Sequence, residues 1–252
     1  MAYERHPTVV EEALYASGTV VVIGRGHARN PQDVVNTVKA VHGAGYVPEV
    51  TFRIDEGILR EAMEELTAMR ARRVITDDMY SPILGVGSVI NPQELESAIE
   101  MGFDMVVSPD SGMGGYGDKT DFVKIARKAG VFCAPAAFSP SELSYWLERE
   151  DGLEPDAIKI FPASVYGPKG LGGLLAPYQR ERHTGRIIMP TGGVDRKTGP
   201  EYQQHIAVKG FRPVLGMSDP LKLVLQRNKP GDMDTLKESL EQFQEEYAAE
   251  CW

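Results

Sequence analysis

Cysteine is scarce in this chain, with two residues, Cys133 and Cys251, among 252. That count leaves no disulfide framework and no cysteine spacing for zinc. Long apolar runs are also missing, since no stretch reaches the roughly 18 residues that a membrane-spanning helix needs. The first residues lack the apolar core of a signal peptide. We therefore expect a cytoplasmic protein with no membrane partner.

Positive charge is in deficit too, because 27 Lys and Arg residues face 36 Asp and Glu residues, for a net charge of -9. A nucleic-acid partner is therefore not expected. The five histidines include no pair spaced to bind a metal on one helix face. Gly24 and Gly26 could begin a dinucleotide-binding turn, but Arg29 holds the place of the third glycine. We predict no metal and no cofactor.

Short apolar runs alternate with helix-patterned stretches along most of the chain. This alternation predicts parallel strands joined by right-handed crossovers. Strands in this arrangement with short connections favour an α/β fold of the (β/α)8 TIM-barrel type, with an open doubly wound sheet as the alternative. The predicted strands are Thr19–Ile23, Val47–Thr51, Ile83–Gly87, Met105–Val107, Val131–Pro135, Ala157–Phe161, Arg186–Met189 and Pro213–Leu215.

Apolar residues at helical spacing predict helices between these strands. Asn30, Asn91 and Ser139 are expected N-caps, because each precedes a proline at a first helical position. We expect a single domain over residues 1–252, with the barrel at about 19–228 and an additional amphipathic C-terminal helix at about 232–250. The predicted helices of the barrel are Pro31–Ala44, Gly57–Ala71, Pro92–Met101, Thr120–Lys128 and Pro140–Glu150.

Lys159 is the lone cation in the predicted strand Ala157–Phe161, which is otherwise apolar. Burying an unpaired ammonium is so unfavourable that such a lysine usually loses its proton, pairs with a carboxylate or takes part in chemistry. A neutral amine is a nucleophile toward carbonyl groups. Lys159 is therefore the first candidate catalytic residue.

Polar residues share one face of the second predicted strand. Because strand side chains alternate, Glu49, Thr51 and Arg53 are expected to point the same way. In a barrel that face is the interior, and sites form at the carboxyl ends of the strands. A purely structural ion pair of Glu49 with Arg53 or Lys159 is the alternative interpretation.

These residue types suit imine chemistry. Burial and a nearby guanidinium, from Arg53 or Arg25, would lower the pKa of Lys159, whereas Glu49 would raise it. A carboxylate is nevertheless needed, because imine formation requires a general acid and base. With an arginine to bind a substrate carboxylate, this set predicts a lyase that acts on a 2-keto acid.

Five motifs carry these residues: Glu49–Arg53, Gly85–Pro92, Ser108–Pro109, Lys159–Ala163 and Pro190–Val194. In this order and at about these separations, they resemble the 2-keto-3-deoxy-6-phosphogluconate (KDPG) aldolase family, which includes 4-hydroxy-2-oxoglutarate aldolases. The resemblance runs from about Val20 to Ser218. It implies a class I, metal-independent aldolase on an eight-stranded barrel, which forms a homotrimer and releases pyruvate.

The same resemblance implies roles for individual residues. Lys159 would form a Schiff base with the substrate, and Glu49 would act as general acid and base. Arg53 and Ser88 would bind the carboxylate of pyruvate. The residues expected to bind a substrate phosphate are Gly192, Gly193 and Ser218, and the other expected substrate contacts are Arg25, Thr51, Ser108, Pro109, Phe161, Thr191 and Gly216, with His27 left open.

Departures from the family concern the far end of the substrate. Met217 adds a side chain where the family has glycine, and Asp219 adds a negative charge unless it only caps a helix. The Gly-rich segment 111–117 resembles an insertion that would form a lid, a phosphate contact or a surface turn.

We therefore predict as substrate a 2-keto-3-deoxy sugar acid with a 6-phosphate. An unphosphorylated 4-hydroxy-2-oxo acid is the alternative within the same chemistry. A barrel decarboxylase or isomerase, or a sugar-acid-phosphate binding protein, would use the same fold without an imine.

Overall fold

A computed structural model describes residues 4–75, 82–110 and 121–250 of this protein, without the side chains of 73–75. The Gly-rich segment 111–117 and the predicted helix start at Thr120 lie outside the described residues. The strands are β1 (Thr19–Ile23), β2 (Val47–Thr51), β3 (Gly85–Gly87), β4 (Met105–Val107), β5a (Phe132–Ala134), β5b (Ala136–Ala137), β6 (Ala157–Ile160), β7 (Ile187–Pro190), β8a (Arg212–Pro213) and β8b (Leu215–Met217).

All strand pairs in the described chain are parallel, and they close into a ring. One sheet has the order β8b-β1-β2-β3-β4-β5a, and the other has the order β5b-β6-β7-β8a. Each sheet continues into the other, because β5a and β5b are separated by Pro135 alone and β8a and β8b by Val214 alone. A bridge between Thr191 and Gly216 joins the sheets again near the carboxyl ends. The predicted (β/α)8 barrel is confirmed, and the open sheet is wrong.

Helices surround this ring and extend past it. The helices are α1 (Pro7–Ser17), α2 (Pro31–Gly43), α3 (Glu56–Ile75), α4 (Pro92–Met101), α5 (Asp121–Lys128), α6 (Pro140–Leu147), α7 (Gly167–Leu175), α8 (Gly199–Ala207), α9 (Lys222–Gln226) and α10 (Met233–Glu250). The expected caps are confirmed: the side chains of Asn30, Asn91 and Ser139 each accept a backbone N–H from the first turn that follows. The additional C-terminal helix is α10. Helices α1, α7, α8 and α9 were not predicted.

Two apolar clusters follow from the alternation of side chains along the strands. The outer cluster fills the space between strands and helices and includes Val50 of β2 and Ile158 of β6. The inner cluster fills the barrel interior toward the amino ends of the strands, which we call the lower barrel, and includes Val47, Met105 and Ile187. Helix α1 completes it from below, since its buried side chains belong to the inner cluster. On β2 and β6 a polar residue follows the inner cluster: Glu49 comes two residues after Val47, and Lys159 two residues after Ala157.

Candidate active site

Lys159 points into the barrel from β6. Its neighbours Ile158 and Ile160 belong to the outer cluster, so alternation places Lys159 inside, above Ala157 of the inner cluster. The side chain is 4% exposed, and its Nζ lies 5.0 Å from the centre of the Phe161 ring. Burial lowers the pKa of Lys159, because a desolvated ammonium is unfavourable. The fold therefore favours the neutral, nucleophilic amine.

Glu49 occupies the interior from β2. It is 2% exposed, and burial raises the pKa of its carboxyl group. Its carboxylate fits because residue 87 is glycine: a Cβ at Gly87 would collide with Glu49 Oε1. The charge of Lys159 lowers the pKa of Glu49, and Glu49 raises that of Lys159, but burial is the larger cause for both. Burial thus shifts both groups toward their neutral forms, Lys159 by lowering its pKa and Glu49 by raising its pKa.

Thr51 and Ser88 lie together at the ends of β2 and β3. The Thr51 hydroxyl donates a hydrogen bond to Ser88 Oγ at 3.1 Å. Ser88 has a φ of 64°, a left-handed conformation that is uncommon outside glycine and is often found at functional sites. The structure therefore brings together the two hydroxyl groups that the sequence placed at this strand end.

Arg53 lies beyond the end of β2, because the strand stops at Thr51. Period-two alternation therefore does not reach Arg53, and a face shared with Glu49 and Thr51 stays a prediction for this residue. Its guanidinium forms an ion pair with Glu94 in the first turn of α4, so a structural Glu49–Arg53 pair is wrong. Arg25 Nε donates a hydrogen bond to the Arg53 carbonyl at 2.5 Å. The lowered pKa of Lys159 is caused by burial, not by these guanidinium groups.

The barrel opens at the carboxyl ends of its strands, and we call this opening the mouth. Across it from β2 and β3 lie the ends of β7 and β8b. Thr191 packs on Gly216, where a Cβ would collide with its hydroxyl group. Gly192 has a φ of 86° and approaches the Phe161 ring, whose Cε2 atom would lie 3.0 Å from a Cβ. Only glycine adopts that conformation readily, so backbone is presented at this edge. Two more predicted contacts, Gly193 and Ser218, are exposed here.

Met217 and Asp219 depart from the family pattern, and we expected them to disturb binding at the phosphate-bearing end of the substrate. The structure places both differently. Met217 is 2% exposed and belongs to the outer cluster, so its side chain points away from the barrel interior. The Asp219 carboxylate accepts a hydrogen bond from the backbone N–H of Arg196 at 3.1 Å, and the Arg196 guanidinium lies 3.4 Å from the same oxygen. Asp219 is therefore not a free negative charge, and neither residue blocks this end of the mouth.

The remaining candidates lie at other strand ends. Ser108 is 1% exposed after β4, and its hydroxyl oxygen accepts the backbone N–H of Asp110 at 3.1 Å. Pro109 is half-buried beside it. His27 is 2% exposed, and its Nδ1 accepts the backbone N–H of Gly24, while burial lowers its pKa. His27 therefore stabilises the backbone of the loop that carries Arg25 through this hydrogen bond.

The described part of the chain contains neither a group of metal ligands nor a membrane-spanning helix. Within residues 4–75, 82–110 and 121–250, no three His, Cys, Asp or Glu side chains are grouped so as to hold a metal ion. No helix in the same ranges is long and apolar enough to cross a membrane.

A model of the family described as KDPG and KHG aldolase matches residues 10–213. The chain belongs to this aldolase family. It is 28% identical over 153 residues to the "KHG/KDPG aldolase" of Escherichia coli K12, a match that covers 60% of this chain and 63% of that enzyme. The match therefore spans less than two thirds of that relative.

Solved structures of aldolases share the fold. KDPG aldolase of Zymomonas mobilis superposes with a TM-score of 0.65 at 20% identity, covering 93% of this chain and 96% of that one. The Legionella pneumophila KDPG aldolase, with pyruvate captured as a covalent carbinolamine intermediate, gives 0.63 at 19% identity, covering 92% and 96%. At these identities the likeness shows the barrel, and the roles of individual residues rest on the geometry described above.

Proposed function

We propose that this protein is a class I aldolase that cleaves a 2-keto-3-deoxy sugar acid with a 6-phosphate into pyruvate and an aldehyde. The observation that carries the proposal is the pair of Lys159 and Glu49, buried together in the barrel interior with their pKa values shifted toward neutral forms. Membership of an aldolase family supports it.

The chemistry begins at Lys159 Nζ, which attacks the C2 carbonyl carbon of the substrate. Glu49 gives a proton to the carbinolamine hydroxyl, which leaves as water when the protonated imine forms. Glu49, now ionised, takes the proton from the C4 hydroxyl; the C3–C4 bond breaks, and its electrons pass into the protonated imine to form an enamine. The aldehyde leaves, Glu49 returns the proton to C3 to restore the protonated imine, and water adds to release pyruvate and the free amine.

The carboxylate of the substrate is assigned to the edge formed by β2 and β3. Arg53 is a guanidinium at this edge, and the hydroxyl groups of Thr51 and Ser88 are hydrogen-bonded to each other beside it. A planar guanidinium with adjacent hydroxyl donors suits a carboxylate. We propose that Arg25 supports this end through its hydrogen bond to the Arg53 carbonyl.

The phosphate is assigned to the backbone of Gly192, which is half-buried, and of Gly193, which is exposed, and to the Ser218 hydroxyl. Backbone N–H groups in left-handed turns bind anions, and both glycines have positive φ angles. The Met217 side chain points away from the barrel interior, and the Asp219 charge is paired with Arg196. Neither residue therefore argues against a phosphate at this site.

Borohydride reduction in the presence of pyruvate tests the imine. We expect an intact-mass increase for one reduced pyruvate per chain, mapped to Lys159 by peptide sequencing. The absence of an adduct at millimolar pyruvate would favour a decarboxylase, an isomerase or a binding protein that forms no imine.

Lyase rates test the far end of the substrate. Pyruvate release is measured with a coupled dehydrogenase on 2-keto-3-deoxy acids with and without the 6-phosphate. We expect a higher kcat/KM for the phosphorylated compound; equal values would instead favour the unphosphorylated 4-hydroxy-2-oxo acid.

We also propose a cytoplasmic homotrimer. Exposed apolar side chains on the mouth side support association: Ile90, Phe138 and Val165, at 39%, 42% and 65% exposure, follow β3, β5b and β6. Light scattering on the purified protein tests the assembly, and a monomer at micromolar concentration would contradict it.

A further inference from the structure

Arg196 has no part in the proposed chemistry, yet it joins three separate segments. It lies in the loop between β7 and α8. Its backbone N–H and its Nη1 atom both contact Asp219 Oδ2 in the segment after β8b, at 3.1 and 3.4 Å. Its Nε atom lies 2.5 Å from Glu246 Oε2 of α10. One side chain thus connects two mouth loops and the C-terminal helix.

The two loops that Arg196 joins are those assigned to the phosphate. Gly193 precedes Arg196 in the first loop, and Ser218 directly precedes Asp219 in the second. Gly193 is also held from the side, because a Cβ there would lie 3.0 Å from Ser164 Oγ. The contact between Arg196 and Asp219 therefore joins the loop that carries the glycine backbone to the loop that carries the Ser218 hydroxyl, beyond the bridge between Thr191 and Gly216.

The first loop is stiff enough to transmit a displacement of Arg196. The Asp195 carboxylate accepts the backbone N–H groups of Lys197 and Thr198, both at 3.0 Å. These hydrogen bonds, with others to Thr198, lower the pKa of Asp195. Arg196 sits within this closed turn, so its position is coupled to the backbone on both sides.

Helix α10 supplies a fixed base for the arrangement. Ser239 donates a hydrogen bond to the Pro220 carbonyl at 2.8 Å, next to Asp219. The Tyr247 ring packs against the start of α8, where its Cε2 would lie 2.9 Å from a Cβ on Gly199. Leu236 and Leu240 anchor the helix in the outer cluster. Helix α10 lies beyond residue 213, where the match to the family model ends.

We propose that Arg196 is a positioning residue, which sets the spacing of the Gly192–Gly193 backbone and Ser218 and so the affinity for the phosphate-bearing end of the substrate. Its guanidinium contacts two carboxylates, those of Asp219 and Glu246, and we assign it a role through the loops and not as a phosphate ligand. This inference rests on the proposed function and extends it to a residue outside the reacting centre.

The test compares Arg196→Ala with wild type on the phosphorylated substrate. We expect KM to rise about tenfold while kcat changes less than about threefold, because the contact positions a remote binding group. The rate of borohydride-trapped pyruvate adduct should stay unchanged, since pyruvate does not reach the displaced loops. Arg196→Lys, which retains the charge, should recover part of the affinity.

Arg227→Ala is the matched control. Arg227 also pairs with a glutamate of α10, Glu238, but that pair is exposed on both sides. We expect its KM to match that of wild type. An equal rise in both variants would show a general loosening of α10 and would overturn the positioning role.

A second variant tests the link to α10 with less risk to folding. Glu246→Gln should raise KM in the same direction but less, and the double variant with Arg196→Ala should be no worse than Arg196→Ala alone. Additive effects would overturn the coupling. Unchanged KM in Arg196→Ala, with normal adduct formation, would overturn this inference alone, whereas a wild type without adduct would overturn the proposed function and the inference with it.

Discussion

The lower and upper halves of the barrel interior are built from the same strands but differ in kind. On β2, Val47 fills the lower half and Glu49 the upper half; on β6, Ala157 and Lys159 divide in the same way. Each step along a strand face is two residues, or about 7 Å. Within that distance the interior changes from tightly packed apolar groups to buried ionisable ones.

This contrast separates the residues that stabilise the fold from the residues proposed to carry the chemistry. Apolar side chains in the lower half gain free energy when they leave water, whereas burying Lys159 and Glu49 costs free energy. The free energy gained by apolar burial in the lower half must therefore offset the cost of burying the ionisable groups in the upper half. Substitutions in the two halves should have opposite consequences for folding and for turnover.

The largest effect is expected for Lys159→Met, which removes the proposed nucleophile. We expect kcat/KM to fall by about 10⁴-fold or more, because the covalent step is lost. The free energy of unfolding should be unchanged or up to about 2 kcal/mol higher, because a buried amine is replaced by an apolar group of similar length and Glu49 can take up a proton. Chemical denaturation and the lyase assay measure the two quantities; a marked loss of stability would break the comparison.

Glu49→Gln should lower kcat by about 10²- to 10⁴-fold and retain slow adduct formation, because Lys159 stays in place while the general acid and base is lost. The carboxylate raises the pKa of Lys159, so its removal should lower that pKa further. Adduct formation needs the free amine, and its acid limb should therefore move to lower pH. A shift of this acid limb to higher pH, or full turnover by Glu49→Gln, would contradict the role of Glu49 as general acid and base.

Met105→Ala probes the lower half. Met105 is fully buried in the inner cluster, and truncation should lower the free energy of unfolding by about 2–5 kcal/mol. The kcat of the folded fraction should stay within about twofold of wild type, because Met105 is not among the residues assigned to the substrate. Val208→Ala, at an exposed site on the surface, is the control and should change stability by less than about 0.5 kcal/mol.

Thr191→Val gives the smallest expected effect, at the boundary between the halves. The Thr191 hydroxyl donates a hydrogen bond to the Met189 carbonyl at 3.3 Å and packs on Gly216. An isosteric change should lower kcat/KM by about twofold to fivefold and stability by about 1 kcal/mol or less. A loss of a hundredfold would place Thr191 among the reacting groups and sharpen the division.

Strands were predictable because their signal is local. Thr19–Ile23 and Val47–Thr51 match the structure at both ends. The eighth strand is less regular: its hydrogen-bonded segments are Arg212–Pro213 and Leu215–Met217, which pair with different neighbours. Such a change of partner depends on barrel closure, a property of the whole ring that no local pattern records.

Helix α7 shows why some helices escaped prediction. Its nine residues include four glycines, a composition that argues against a helix. Leu171 and Leu175 are nevertheless fully buried, and Gly172 allows a close approach to α8, since a Cβ there would lie 3.2 Å from the His205 ring. Tertiary packing stabilises this helix against its intrinsic preference.

The candidate site was predictable in its central residues and less so at its rim. Lys159 and Glu49 stand out because a charge in an apolar strand is visible in the sequence. The partners of Arg53 and Asp219 are not visible, because Glu94 and Arg196 lie in segments that meet only after folding. Roles at the rim depend on such long-range contacts.

Helix α1 has a consequence for the order in which products depart. It seals the floor of the barrel with Val10 and Leu14, so substrate and products share the opening at the carboxyl ends of the strands. In the proposed reaction the three-carbon product stays bonded to Lys159 when the C3–C4 bond breaks. The aldehyde is then expected to leave first and water to reach the imine along the path it vacates, which makes pyruvate the last product released.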